Sequence, residues 1–404
     1  LDPAGAIAKF QTAFAADPTL DIDLSAEISD TLRYVATTWV QEGEALLREV
    51  SIAQEVVSSR NSLSVLSNVL LTARRGALVI QATDLKVGFE TSIPVEVITE
   101  GTATAFCDKL LNIVRSLPEG DVEIEQVDAA MLRVRPTKGK IDFQLRCIPS
   151  DKYPEIQKAA EKLYFDFPQK DFIEMVSRTL FAVSDDETRY FMNGIFVEKR
   201  DDSLVMVATD GRRLSWIARR VPVPMDNLKG VILPPKILQI VRKLASGEGN
   251  LALALTDKSV FVRLGERSLS SSLIEGQFPD YRRVIPDSQK HHALVDRVAF
   301  EDALKRVSLL VEQKSRKIVF RVNDGLLTIS SKESELGLAS EEVACDYSGP
   351  DLTFAVNCLY LIEPLREMDC ERVRLEFSDV NKALTLKPQP EEGYLNIVMP
   401  MQLD

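Results

Sequence analysis

Few side chains in this chain are placed for chemistry. The two histidines, His291 and His292, are adjacent, so neither an H-E-x-x-H metal helix nor a histidine-paired nucleophile can be assembled from them. No G-x-x-x-x-G-K-[ST] phosphate loop occurs, which excludes nucleotide hydrolysis by that route. The triplet Asp185-Asp186-Glu187 offers oxygens for a hard cation, but nothing nearby supplies the remaining ligands, and such runs are commonly solvated loops. The five cysteines (Cys107, Cys147, Cys345, Cys358, Cys370) are scattered and odd in number. They fit buried thiols in a reducing cytoplasm better than a disulfide framework or a zinc site. No catalytic residue, metal or cofactor is expected. The enzymatic alternative is a metal-dependent nuclease centred on Asp185 to Glu187, which an assay with divalent metal discriminates.

Binding chemistry is better represented. The segment Arg189-Tyr190-Phe191-Met192-Asn193-Gly194 leads into Ile195 to Glu198 and Leu204 to Val207, both apolar and β-branched enough to read as strands. Lys199 to Ser203 reads as the hairpin loop between them. Ala208-Thr209-Asp210-Gly211-Arg212-Arg213-Leu214 then closes in a turn where Gly211 supplies the positive φ of a tight reversal. Two further segments stand downstream: Gly276-Gln277-Phe278-Pro279-Asp280-Tyr281-Arg282-Arg283-Val284-Ile285-Pro286, and the closing Val398-Met399-Pro400-Met401-Gln402-Leu403.

An internal repeat supplies the elements that position these segments. Leu110 to Leu117 answers Ile237 to Leu244; Ala82-Thr83-Asp84 answers Ala208-Thr209-Asp210; Val50-Ser51 answers Val176-Ser177; and Tyr153-Pro154 answers Phe278-Pro279. All four lie at an offset of about 126 residues. A third, more diverged copy follows: Val307-Ser308, Leu359 to Leu365 and Met399-Pro400 match the second, with Ser331-Lys332 in place of the Thr-Asp turn. A period this long makes each copy a domain with its own core. Each copy runs strand, amphipathic helix (Ala45 to Val56, Lys170 to Val183, Phe300 to Val311), strands, second helix (Ala105 to Leu117, Pro235 to Leu244, Asn357 to Leu365), strands. Sheets with two helices on one side make an α+β fold. The first strands are expected near Thr38 and Tyr164. The domains are therefore placed at 37–160, 161–288 and 289–404, with 1–36 an extension outside the repeat that starts with a helix signal at Asp2-Pro3.

At 45% hydrophobic and 27% charged residues, the composition is that of a globular protein with several cores. No apolar run reaches membrane-spanning length and the start lacks a basic signal-peptide region, so a cytoplasmic location is expected. The net charge of −12 argues against a generally basic nucleic-acid binder. It leaves room for one basic face on an otherwise acidic protein, because local field steers DNA.

The T-D-G-x-R-L turn, the G-x-F-P-D-Y-R-R-V-x-P segment and the terminal V-M-P-M-x-L, in that order, resemble the bacterial DNA polymerase III beta subunit family, the replicative sliding clamps. The resemblance covers about residue 37 to the end. It implies three repeated clamp domains with antiparallel sheets outside and helices inside, and two chains head-to-tail in a ring around duplex DNA. The implied partners are a second copy of the chain, DNA bound without sequence preference, the polymerase III alpha subunit, the clamp loader and other proteins carrying a clamp-binding motif.

Carried over position by position, the resemblance implies a peptide groove lined by Met192, Thr209, Gly211, Arg212, Arg213, Leu214, Pro279, Val284, Asn357, Tyr360, Met399, Pro400 and Met401. Methionine walls suit the Leu and aromatic anchors of a short peptide. It also implies phosphate contacts from Arg60, Arg115, Arg242, Arg282 and Arg283, on a face whose helices further carry Arg48, Lys109, Arg178, Lys236, Lys243, Lys305 and Arg306. A dimer contact of Phe143 and Leu145 against Leu309 and Leu310 of the other chain completes the set. The family departs here at Arg212, where His is common, at Gln402, where Arg is common, at the acidic Asp186 and Asp404, and in the extension. These departures leave a specialised clamp paralogue, serving repair or resistance, as the alternative within the fold.

Overall fold

The computed structural model describes residues 37–40, 43–57, 65–128, 130–220, 230–331, 333 and 337–403, with only the backbone for 37–40. The expected helix start at Asp2-Pro3, Arg60, Lys332 and Asp404 lie outside the described residues. Two compact units emerge, Leu1–Lys158 with Gly265–Ser270, and Ala159–Leu264 with Ser271–Asp404.

In the first unit, helices α1 (Gly43–Val56) and α2 (Cys107–Ser116) pack side by side. Leu46, Val50 and Ala53 recur at helical spacing on one helix, and Cys107, Leu110, Leu111 and Val114 on the other; all are buried. One sheet orders Glu96–Val97, Thr37–Val40, Val122–Asp128, Met131–Pro136 and Phe143–Arg146, leaving the last strand at an edge. Gly101–Phe106, Asn68–Arg74, Ala77–Thr83 and Val87–Pro94 pair antiparallel in a second sheet. Alternation along Ala77–Thr83 buries Leu78, Ile80 and Ala82. The repeat-matched Tyr153 is buried, and its hydroxyl lies 3.1 Å from both the Asn68 and the Gln81 carbonyl oxygens, tying two strands together.

The second unit holds the other two copies. Helices α3 (Gln169–Leu180) and α4 (Pro235–Leu244) belong to the middle copy, and α5 (Arg297–Val307) and α6 (Leu359–Arg366) to the last. Pro235 opens α4, where its missing N–H costs nothing, and Ile237, Leu238, Ile240 and Val241 are buried. A twelve-stranded sheet runs through the unit. The middle and last copies join in it through the antiparallel pairing of Arg213–Arg220 with Tyr394–Val398, from Arg213 opposite Val398 to Ile217 opposite Tyr394. The two copies are therefore one hydrogen-bonded body, and the turn before Arg213 lies beside the chain that leaves Val398.

Several boundaries differ from the periodicity, three of them for reasons the structure shows. The first hairpin strands run Ile195–Arg200 and Ser203–Thr209, so the turn is only Asp201-Asp202, with Asp201 at φ +52°. Aspartate tolerates that conformation, which lets the strands extend through polar residues. Helix α5 starts at Arg297, where the Asp296 carboxylate accepts from Ala299 N at 2.8 Å, and stops at Val307. Ser308–Leu310 forms a 3₁₀ turn, so Leu309 and Leu310 are not on the expected helix. Helix α6 starts two residues late because Asn357 Oδ1 accepts from Leu359 N at 3.0 Å.

The Thr-Asp turn is built identically in the first two copies. Gly211 N donates to Thr209 Oγ1 at 3.1 Å, Thr209 Oγ1 to Arg213 O at 2.6 Å, and the Arg212 and Arg213 N–H groups to Asp210 Oδ1 at 2.8 and 3.0 Å. Leu85, Thr83, Lys86 and Val87 repeat the pattern around Asp84. Both turns need positive φ at the third residue, +85° at Gly211 and +74° at Leu85. Glycine meets this without strain, whereas Leu85 does so with its side chain exposed.

Candidate functional site

The turn carries Arg213, and every guanidinium nitrogen is engaged. Nε donates to Asp210 Oδ2 at 3.1 Å, Nη1 to Glu363 on α6, and Nη2 to the Phe181 carbonyl just past α3. The guanidinium carbon lies 4.7 Å from the Tyr360 ring centroid and 5.6 Å from that of Phe181. An arginine expected to line the groove is thus a strut between the second and third copies. Sequence reasoning missed Glu363 and Phe181: the Asp210-x-x-Arg213 spacing is visible in the chain, but a partner 150 residues away is not.

Around this strut the structure gathers most of the expected lining. Met399 N donates to Arg212 O at 2.9 Å, and Met401 N to Ala355 O at 2.7 Å, so the terminal segment bridges the turn and the strand that ends at Asn357. Leu214 is buried in a cluster with Phe278, Tyr281, Val205, Val207 and Ile397. That cluster carries Pro279 and the exposed Val284 beside it, with Val284 N donating to Tyr281 O at 3.2 Å. Phe278 stacks on Phe196 with centroids 4.9 Å apart, fixing the segment from below. Asn357, Tyr360, Pro400 and Met401 are half-buried and Met399 is exposed, while Gly211 and Arg212 stand at the open end of the turn. Met192 and Thr209 are buried, and Met192 O accepts from Ser184 N at 3.1 Å.

Within the acidic triplet, Asp186 is already engaged. Asp186 Oδ1 accepts from Thr188 N and Oγ1 at 2.9 and 2.6 Å, and Oδ2 from Arg189 Nε at 2.8 Å. The hydrogen bonds from Thr188, then that from Arg189, hold its carboxyl down at about 2. Among the described residues no group of three or more His, Cys, Asp or Glu is placed to hold a metal ion. Burial pushes the Cys107 thiol up to about 12 and the Cys147 thiol to about 11, so neither is a ready thiolate. Among the described residues, no helix is long and apolar enough to cross a membrane.

The basic residues fall into three groups. Arg115 and Arg242 are exposed in the last turns of α2 and α4, where a cation also complements the helix dipole. Arg282 and Arg283 close the 3₁₀ turn Tyr281–Arg283. Arg282 reaches both Glu198 carboxylate oxygens, at 2.7 and 2.8 Å, and Arg283 reaches Asp280 at 3.0 Å while 84% exposed. A phosphate must therefore compete with Glu198 for Arg282. Lys305 and Arg306 are likewise paired, with Glu301 and Glu341.

Arg178 overturns its expectation. Instead of facing DNA, its side chain is 5% exposed, paired with Glu174 at 2.8 Å and Glu392 at 3.2 Å, donating to Glu367 O and lying 4.9 Å over Tyr394. A charged helix face is basic in the sequence either way; here the last copy covers it. Arg178→Ala is expected to lower stability by about 2 kcal/mol, below the full cost of breaking a buried pair because both carboxylates are partly exposed. Urea unfolding measures this.

The residues expected at a chain–chain contact are surface groups. Phe143 and Leu145 are half-buried on the edge strand, facing the same way by alternation. Leu309 is 78% exposed, and exposed Leu338 lies close by in sequence to Gly337, whose Cβ position is 3.8 Å from Leu310.

Similarity to known proteins covers nearly all of this framework. Family models described as the N-terminal, central and C-terminal domains of the DNA polymerase III beta subunit match residues 39–157, 166–280 and 282–402. A beta sliding clamp from Treponema pallidum is 45% identical over 367 residues, 90% of this chain and 99% of the relative. One from Pseudomonas putida is 33% identical, over 89% of this chain and 98% of the relative. A crystal structure of the DNA polymerase sliding clamp from Pseudomonas aeruginosa superposes with a TM-score of 0.85 at 30% identity, covering 91% of this chain and 100% of that one. A sliding clamp from Bartonella birtlesii bound to griselimycin gives a TM-score of 0.86 at 29% identity, with the same coverage. With three clamp domains in series and a relative this similar along almost its full length, the chain belongs to the DNA polymerase III beta subunit family, the bacterial sliding clamps.

Proposed function

We propose that this protein is a non-catalytic processivity clamp: two copies close into a ring on duplex DNA, and the trough between the second and third copies holds a short peptide of the replicative polymerase, the clamp loader or another client. The observation that carries the reading is the joint itself. The Thr209–Leu214 turn, the Tyr360 helix and the Met399–Met401 segment are pinned together by main-chain hydrogen bonds and the Arg213 strut, which supports a preorganised docking place for a peptide. Methionine walls adapt to Leu and aromatic anchors.

In this reading Phe143 and Leu145 meet Leu309 and Leu310 of the second copy, and the domains divide at 37–160, 161–288 and 289–404. Arg115, Arg242 and Arg283 supply sequence-independent attraction to phosphates, with Arg60 and the partly neutralised Arg282 as further contributors. The acidic balance of the whole keeps that attraction weak, which suits sliding in the cytoplasm.

Retention on DNA tests the ring. Loaded onto nicked circular DNA, the protein is expected to stay bound through gel filtration and to be lost once the circle is cut. Affinity for a short duplex should be weak and fall steeply with salt. Equal retention on circular and linear DNA would count decisively against encirclement.

A further inference from the structure

We propose that Glu363 is a positioning residue of the peptide groove, holding Tyr360 in its binding stance through Arg213 without itself touching the peptide. The inference rests on the groove reading above. Arg213 rises from the middle copy, and two of its three acceptors, Asp210 Oδ2 and the Phe181 carbonyl, belong to that copy. Glu363 is the acceptor from the last copy. It stands three residues after Tyr360 on α6, hence on the same helix face. The guanidinium is sandwiched between Phe181 and Tyr360 and its side chain is only 11% exposed.

Two consequences follow from this arrangement. With one hydrogen bond from each nitrogen and its side chain 11% exposed, Arg213 offers a peptide carboxylate little surface, so its contribution to binding is to hold the ring of Tyr360. The hold depends on a cation fixed relative to α6, and Glu363 is what fixes it there. Without that carboxylate, Arg213 keeps its middle-copy partners, while the Tyr360 ring loses the ion pair that ties its helix to the cation it faces. Asp210 still pairs with Arg213 at 3.1 Å when Glu363 is replaced, so no unpaired buried charge is left to unfold the protein.

Fluorescence anisotropy on the intact protein tests this, using a labelled peptide of about eight residues with a Leu and a terminal Phe as anchors. Glu363→Ala is expected to weaken binding about tenfold, and Glu363→Gln, which keeps a neutral acceptor, about threefold. Adding Glu363→Ala to Tyr360→Ala should cause no further loss, because a residue acting through the ring has nothing left to position. A 3-fluorotyrosine placed at position 360 should show a moved or broadened ¹⁹F resonance in Glu363→Ala, with the melting temperature and oligomeric state unchanged. Additive losses in the double variant would mean that Glu363 contacts the peptide directly and would overturn the inference, as would an unmoved resonance. Wild-type affinity in Glu363→Ala overturns this inference alone. A failure of the unsubstituted protein to bind the peptide removes the groove reading and this inference with it.

Discussion

The Leu309→Asp, Leu310→Asp double variant is expected to sediment as a folded monomer where the unsubstituted protein sediments as a dimer. In the single chain Leu309 is 78% exposed and Leu310 half-buried in a 3₁₀ turn after α5, so aspartate there costs the isolated fold little. In the proposed ring the same positions face the Phe143–Arg146 edge strand of the second copy. Two carboxylates would then be desolvated against Phe143 and Leu145, at a cost of several kcal/mol. Closing the ring also covers that edge, which otherwise exposes unpaired N–H and C=O groups. The variant should therefore keep its circular dichroism and melting temperature, lose the dimer in sedimentation velocity, and lose retention on circular DNA. A variant that remains dimeric would place the contact elsewhere.

Deleting Met399 to Asp404 is expected to abolish peptide binding while leaving the ring assembled. The strand Tyr394–Val398, paired with Arg213–Arg220, stays in place and keeps the two copies joined. The deletion removes the Met399 N to Arg212 O and Met401 N to Ala355 O hydrogen bonds, a loss of about 1–3 kcal/mol together, against side chains that are exposed or half-buried and contribute little core. What disappears is one side of the trough, so polymerase-derived and loader-derived peptides should fail together. The milder Met401→Ala should weaken either peptide by about 1–2 kcal/mol, the scale of one buried anchor contact. Anisotropy with each labelled peptide measures both effects. Unchanged affinity in the truncated ring would move the binding site away from the joint.

Much of the architecture was legible because it is written locally. Helix α4 runs from Pro235 to Leu244 as its apolar spacing and leading proline require. The Thr-Asp turn recurs with the same hydrogen bonds in two copies, because short polar side chains bond to peptide groups within four residues of themselves. Boundaries strayed where a side chain bonding to nearby main chain competed with periodicity, as a cap at Asp296 and as an Asx turn at Asn357.

The sequence by itself determined the repeat, the order of strands and helices in each copy and the paucity of catalytic groups. Each of these depends on patterns within one turn, one helix or one period of the chain. Only the tertiary structure decided what the charges do. Arg178 and Arg242 both stand in the last turns of helices and read alike, yet one is buried under Glu392 and Tyr394 while the other is exposed. Arg213 reads as a lining cation, yet it is a strut, because Glu363 arrives from 150 residues away. An ionic side chain's role follows from which opposite charges and rings are brought within a few ångströms of it, and that neighbourhood exists only once the copies have docked.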